Sequence, residues 1–190
     1  IICFAFEKNN SNQSRIIAID LNDEFEINLA DPIELTDNMW TNYLRGVLKQ
    51  LKLKGFKVEG FNCVFSSTIP VGSGLSSSAA LECGFLFGLN ELFNLNIKPV
   101  DIALMGQSAE HWVGINCGIM DQFSSVMGLE NKVIKIDCRT LEYEYHNADF
   151  NDYSLILFDS NVKHTLMTSA YNERREQCEE GIAVVTNNFP

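Results

Sequence analysis

Residues 70–80 read PVGSGLSSSAA, and the helix-forming pair Leu81-Glu82 follows them directly. A loop with a proline and two glycines gives way to serines, which are favoured helix N-caps, and then to strong helix formers. We therefore predict a glycine-rich loop that leads into a helix ending near Phe93. Such a junction offers free backbone N–H groups, small side chains and the positive end of a helix dipole, which together favour binding of a di- or triphosphate.

The loop matches neither of two common phosphate-binding patterns. It lacks the lysine that a Walker A loop needs after its last glycine, Gly74, and Ser77 stands at the third glycine position of GxGxxG. A flexible turn before a well-capped helix is the simpler alternative. Three consecutive serines exceed what one cap requires, and the additional hydroxyls suit a Mg²⁺ ion or a phosphate group.

Upstream of this loop the sequence predicts strands and one helix. The β-prone runs at 1–7, 15–20 and 24–29 are separated by polar turns, which is typical of a meander. Asp37 is a plausible N-cap for a helix that ends near Leu53. The apolar face of this helix comprises residues three and four apart, namely Trp40, Tyr43, Leu44, Val47 and Leu51.

Further elements are predicted from alternation and helical periodicity. Strands are expected at 56–66, 132–137, 141–146 and 153–159, and helices at 100–111, at 119–127 and from Ser169 past Cys178.

Composition excludes several classes of protein. The chain has 190 residues, 46% of them hydrophobic, and 14 basic against 25 acidic residues give a net charge of −11. An acidic chain of this kind argues against nucleic acid or an anionic membrane as partner. No apolar run approaches the roughly 18 residues of a membrane helix, and no signal peptide precedes the first strand. Six cysteines without a CxxC pair predict reduced thiols in a cytoplasmic protein.

Two carboxylates flank a glycine-containing loop in residues 110–121, EHWVGINCGIMD. Glu110 ends one predicted helix and Asp121 begins the next. An acid in the first turn of a helix is electrostatically favourable, so Asp121 need have no catalytic role. Alternatively, a carboxylate that faces a bound nucleotide can act as a general base or orient a substrate hydroxyl. Glu110 is either a Mg²⁺ ligand or a surface acid.

The run 168–178, TSAYNERREQC, has the composition of a charged amphipathic helix start. Glu173 and Gln177 are spaced for an i,i+4 pair. On composition alone this is a solvent-exposed face.

These runs together resemble the GHMP small-molecule kinases. Residues 70–80 are similar to the family's nucleotide-binding motif, while 117–123 (CGIMDQF) and 171–178 (YNERREQC) resemble runs of its galactokinase branch. Residues 159–164 (DSNVKH) add to this similarity, which extends over nearly the whole chain. The resemblance implies an α+β fold, a mixed β-sheet with helices packed on one face, as in the family's N-terminal domain, which is like domain 2 of ribosomal protein S5.

The resemblance also implies roles for particular residues. The ATP phosphates would be enclosed by Gly72, Ser73, Gly74, Leu75, Ser76, Ser77 and Ser78, with Ser78 and Glu110 on Mg²⁺. Asp121 would accept the proton of the sugar's anomeric hydroxyl, and Tyr171 and Gly118 would contact the sugar. Trp40 and Tyr43 would lie near the nucleotide base, unless they are simply a core-facing pair. The stretch between Glu110 and Asp121 is one residue shorter than is usual in the family, which leaves the alignment of Glu110 with the metal open.

The implied reaction is ATP-dependent phosphorylation of galactose at its C1 hydroxyl by direct in-line transfer, with galactose and ATP as partners and no obligate protein partner. A kinase for N-acetylgalactosamine or another sugar, and a non-catalytic sensor of galactose and ATP, are the alternatives. The family's opening motif and late glycine-rich motif are missing, so we expect residues 1–190 to be an N-terminal domain truncated at its start. We expect this piece to be inactive and to carry an unpaired strand edge prone to self-association.

Overall fold

A four-stranded mixed sheet forms the base of the fold. Its strands are β1 (Ile2–Lys8), β2 (Gln13–Ala18), β3 (Asp23–Asn28) and β4 (Phe61–Ser67). The computed structural model describes residues 1–70, 74–150, 153–154, 156–158 and 167–189. The spatial order is β1-β4-β2-β3, with β4 antiparallel to β1 and parallel to β2. The predicted meander is therefore wrong at its first step, although β2 and β3 do pair as an antiparallel hairpin.

The entry of β4 between β1 and β2 depends on Gly60. The Asn9 amide donates to the Gly60 carbonyl at 2.9 Å, and the Gly60 amide donates to the Ser11 carbonyl at 2.8 Å. A Cβ at Gly60 would lie 2.3 Å from Asn9 Oδ1 and from the Ser11 carbonyl oxygen. The polar segment after β1 therefore crosses the start of β4 instead of making a tight hairpin, and the strand begins at Phe61 rather than at the predicted residue 56.

Four helices pack on this sheet and on one another: α1 (Met39–Leu53), α2 (Ser77–Phe93), α3 (Pro99–Val113) and α4 (Met120–Met127). Helix α1 begins after Asn38, not after the predicted cap Asp37. Its predicted apolar face is confirmed, with Leu44, Val47 and Leu51 buried. The α+β fold with a mixed sheet and helices packed on one face is confirmed as well.

Helix α2 lies close to β1 because two of its positions are glycine. A Cβ at Gly84 would lie 2.7 Å from the Phe4 ring, and one at Gly88 would lie 2.1 Å from the Phe6 ring. Both rings also pack against Phe85, which is fully buried. This contact fixes the start of α2, and with it residues 74–78, relative to the sheet.

A hairpin and a long helix complete the described chain. Strands β5 (Lys132–Ile136) and β6 (Tyr143–Asn147) pair antiparallel and contact α4 through the rings of Phe123 and Tyr143. The last helix, α5, spans Met167–Asn188. The strand predicted at 153–159 is not seen at 153–154 or 156–158, and its other residues lie outside the described ones. Within the described chain, no helix has the length and apolar character needed to cross a membrane.

Candidate functional site

The junction between the glycine-rich loop and α2 has an unusual backbone. Gly74 has φ +74° and Ser76, the residue before the helix, has φ +54°. The left-handed region is uncommon for a residue with a Cβ, and such residues are concentrated at functional sites. The Ser76 side chain makes no capping hydrogen bond, so the predicted serine cap is absent there and the first N–H groups of α2 are not satisfied by it. Gly72 and Ser73, the two other predicted glycine-loop residues, lie outside the described residues.

Ser78 and Glu110 meet where α2 and α3 cross. The Ser78 hydroxyl donates to Glu110 Oε1 at 2.9 Å, and Glu110 is only 6% exposed. The short spacing between Glu110 and Asp121 has not turned the acid away from α2. A hydroxyl and a carboxylate side by side are oxygen donors of the kind Mg²⁺ prefers, and Mg²⁺ commonly takes its other ligands from phosphates and water. These two residues therefore fit a magnesium ion bound together with a nucleotide.

The second oxygen of Glu110 is held by residues that the sequence analysis missed. Gln122 Nε2 in α4 donates to Glu110 Oε2 at 2.5 Å, and the Cys117 thiol donates to the same oxygen at 3.4 Å. Burial, followed by the negative charge of Glu110, raises the pKa of Cys117 to about 12, so the sulfur keeps its proton as a donor. Both residues fall in the motif at 117–123, and that motif was the sequence signal from which they could have been found. Helices α2, α3 and α4 thus converge on one carboxylate.

Asp121 lies in the first turn of α4, directly before Gln122. Gln122 is fully buried, whereas Asp121 is half-buried, because successive helical residues point about 100° apart. Of the side chains that the structure describes, none makes a hydrogen bond or ion pair with the Asp121 carboxylate. The Asp121 carboxylate is thus available to a ligand, and its backbone adjoins that of Gln122, a member of the Glu110 cluster formed by Ser78, Glu110, Cys117 and Gln122.

Tyr171 and Gly118, the two residues predicted to contact the sugar, lie next to each other. The Gly118 amide donates to the Tyr171 hydroxyl at 3.3 Å. The Asn172 side chain donates to the Gly114 carbonyl at 2.9 Å and accepts from the Asn116 amide at 3.0 Å. Residues 173–178 are exposed, as the composition predicted. Tyr171 and Asn172 nevertheless dock α5 on the loop between α3 and α4.

A cavity of about 330 Å³ lies at this contact, lined by Gly118, Tyr171, Arg174, Arg175 and Cys178. Asp121 is not among the lining residues, although Gly118 is only three residues before it in the sequence. A larger groove of about 960 Å³ is lined mainly by apolar side chains of β1 and α2. It contains neither Ser78, Glu110 nor Asp121, and we do not assign the reaction to it.

Trp40 and Tyr43 both pack against the core. The Trp40 indole donates to Asp23 Oδ2 at 2.8 Å, and its ring contacts Phe25 and Phe65 with centroids 5.4 and 5.8 Å apart. Burial, followed by the charge of Glu110, raises the pKa of the Tyr43 hydroxyl to about 12. The arrangement agrees with a core-facing pair, while Tyr43 also borders the Glu110 cluster. Their contact with a nucleotide base stays a prediction.

Comparison with known proteins identifies the family. Residues 42–129 match the model of the GHMP kinases N terminal domain. The chain is 41% identical over 186 residues to a galactokinase of Limosilactobacillus reuteri and 43% identical over 178 residues to one of Actinobacillus pleuropneumoniae. These matches cover 96% and 92% of the chain but 45% and 46% of the relatives, so the chain spans about half the length of the curated relatives it matches.

Solved structures agree with this match. The galactokinase of Lactococcus lactis in complex with galactose superimposes with a TM-score of 0.91 at 30% identity, over 100% of this chain and 50% of that one. The mevalonate kinase of Methanococcus jannaschii, at 19% identity, shares the fold with a TM-score of 0.65 over 80% of this chain and 47% of its own. On the family model, the relatives and the fold together, the chain carries the N-terminal domain of the GHMP kinases, matched over residues 42–129.

Proposed function

We propose that residues 1–190 form the N-terminal domain of a galactokinase, which transfers the γ-phosphoryl group of ATP to the C1 hydroxyl of galactose. The products are galactose 1-phosphate and ADP. The observation that carries this proposal is the contact of Ser78 with Glu110 at 2.9 Å beside the start of α2. This contact places two oxygen donors suited to magnesium beside the helix terminus proposed to bind the phosphates. Asp121 lies at the start of the next helix, α4.

In this proposal the ATP phosphates bind at the start of α2. Backbone N–H groups at Ser77 and Ser78 point along the helix axis, and the helix dipole favours negative charge there. The chain is strongly acidic, so the site relies on such local devices to hold an anion. Ser78 and Glu110 would hold Mg²⁺, which, when bound, neutralises part of the phosphate charge.

Asp121 is the proposed base. Its half-buried carboxylate accepts the proton of the C1 hydroxyl, and the sugar oxygen attacks the γ-phosphorus in line with the leaving ADP. Part of its contribution is to orient the hydroxyl. Tyr171 and Gly118 would contact the sugar, since both line one cavity and Gly118 precedes Asp121 by three residues. The galactose in the Lactococcus lactis structure supports this choice of acceptor.

The test is galactose-dependent release of ADP by the protein that carries this chain, with Asp121→Asn as the variant. Loss of a general base lowers turnover by about 10²- to 10⁴-fold. Nucleotide affinity, measured by calorimetry, should stay within about twofold because Asp121 is not among the proposed phosphate or metal contacts. Unchanged turnover would remove Asp121 from the mechanism. Binding of both galactose and ATP without ADP release in the unaltered protein would instead indicate a sensor.

A further inference from the structure

A fully buried acid lies beneath the candidate magnesium site. Glu82 is 0% exposed, and neither of its carboxylate oxygens has a hydrogen-bond partner in the described structure. It stands one turn after Ser78 on α2, so the two side chains share a face of the helix. A buried carboxylate without partners is strongly unfavourable, and proteins rarely keep one without a reason.

Gln122 presents a second unpaired atom in the same place. Its Oε1 is buried without a donor, while its Nε2 donates to Glu110 Oε2. If the amide were turned over, Gln122 Oε1 would lie about 2.5 Å from Glu110 Oε2, and two acceptors would face each other. The hydrogen bond to Glu110 therefore fixes the orientation of the Gln122 amide. The Gln122 side chain lies close enough to Glu82 to act on the pKa of its carboxyl group, although no hydrogen bond joins the two in the described structure. The Glu82 carboxyl group and Gln122 Oε1 are thus neighbouring acceptors without a donor. One proton on Glu82 would give both a hydrogen bond.

The packing around Gln122 leaves its side chain little freedom. Gly106 on α3 lies so close that a Cβ there would be 2.8 Å from Cys83 Sγ and 3.3 Å from Gln122 Cγ. The Cys83 thiol also faces the Gln122 carbonyl at 3.9 Å. Helices α2, α3 and α4 therefore hold Gln122 between Glu82 and Glu110.

We propose that Glu82 is a positioning residue, whose carboxyl group donates a hydrogen bond to Gln122 Oε1 and thereby fixes the amide that holds Glu110 against Ser78. The chain of contacts runs from Glu82 through Gln122 and Glu110 to Ser78. Glu82 touches no substrate or metal in this arrangement, and it acts by keeping the Glu110 carboxylate in one orientation. The consequence for magnesium rests on the proposed function, whereas the hydrogen bond itself does not.

The electrostatics agree with a neutral Glu82. Burial, followed by the negative charge of Glu110, raises its pKa well above the ordinary value for a glutamate, and these effects outweigh the opposing effect of the Gln122 amide. Protonation makes the group a donor as well as an acceptor, which is what an unpaired amide oxygen requires.

Two variants and a control test the proposal on the chain itself. Glu82→Gln keeps a donor for Gln122 Oε1, and Glu82→Met replaces the carboxyl with an apolar chain of similar volume, which is expected to fold. Glu91→Gln removes an exposed acid from the same helix and serves as the control. The first readout is the infrared C=O stretching band of a protonated carboxylic acid near neutral pH. We expect it in the wild type and in Glu91→Gln, and we expect it to be lost in both Glu82 variants. A wild-type spectrum without this band would overturn the proposal.

The second readout is the Mg²⁺ concentration needed for half-maximal binding of ADP. We expect a rise of about tenfold in Glu82→Met and a change within about twofold in Glu82→Gln, as the loss and rescue of one buried hydrogen bond imply. Equal effects of the two variants would contradict the positioning role. If the wild-type chain binds no ADP with Mg²⁺, the proposed function fails, while the infrared band still decides the hydrogen bond.

Discussion

The two sides of the candidate site are built in different ways. On the metal side, side chains of α2, α3 and α4 converge on Glu110 in the protein interior. On the proposed sugar side, α5 contacts the loop between α3 and α4 through the exposed Tyr171 and the half-buried Asn172, which bond to backbone atoms. The proposed phosphate and metal binding would therefore depend on the stability of the fold, whereas the proposed binding of the sugar could change with little effect on that stability. Substitutions on the two sides should therefore differ in their effect on the free energy of unfolding.

Glu110→Ala should have the largest effect. It leaves the donors of Ser78, Cys117 and Gln122 without their acceptor in a buried place, so we expect the free energy of unfolding to fall by about 2–3 kcal/mol. Urea denaturation measures this fall. Glu130→Ala, which removes an exposed acid before β5, should change it by less than about 0.5 kcal/mol. Equal effects of the two variants would mean that the Glu110 cluster does not support the fold.

Gly106→Ala should destabilise the metal side by overpacking. The added Cβ would lie 2.8 Å from Cys83 Sγ, and an overfilled core loses about 1–3 kcal/mol. Gly181→Ala in α5 is the matched control, since a Cβ there meets nothing within 4 Å. Alanine is the better helix former by about 0.5–1 kcal/mol, so this control should protect the α5 amides against hydrogen exchange. A stabilising Gly106→Ala would contradict close packing at the helix crossing.

Tyr171→Phe should separate acceptor binding from stability. The lost hydroxyl accepts one exposed hydrogen bond, so the free energy of unfolding should change by less than about 0.5 kcal/mol. Galactose affinity, followed by calorimetry in the protein that carries this chain, should fall by up to about tenfold. A variant as unstable as Glu110→Ala would erase the contrast between the two sides.

Alkylation of cysteines should report the same contrast without changing the fold. The pKa of Cys117 is raised to about 12, and since the thiolate is the nucleophile, its reactivity should be low near neutral pH and rise by about tenfold per pH unit below that pKa. Cys178, which lines the cavity on the proposed sugar side, is exposed and should react before Cys117. Peptide mapping after a short iodoacetamide pulse measures the labelling of each cysteine. Faster labelling of Cys117 than of Cys178 would contradict the protected position of Cys117.

The parts of the fold that depend on local signals could be read from the sequence. The loop before α2, the apolar face of α1 and the start of α4 near Asp121 follow from turn residues and periodicity. The insertion of β4 could not be predicted, because strand pairing joins residues far apart in sequence and here depends on contacts at Gly60.

The site was predicted from its motifs only in part. Ser78 contacts Glu110, and Gly118 contacts Tyr171, while the metal and sugar roles that the resemblance implied for them stay predictions. Gln122 was missed although it follows Asp121, because a motif does not tell which of two adjacent helical residues faces inward. Glu82 was missed too, although an acid within the otherwise apolar run 79–89 was a visible signal of a buried polar contact.

The most direct test replaces Mg²⁺ with paramagnetic Mn²⁺ and records NMR spectra of the chain with ADP. If Ser78 and Glu110 hold the metal beside the start of α2, signals of the Ser78 backbone and the Gln122 side-chain amide will broaden first. Signals of β3, which carries exposed acids on the far strand of the sheet, will stay sharp. Broadening of the β3 signals, with the α2 and α4 signals unaffected, would contradict the proposal that Ser78 and Glu110 hold the metal.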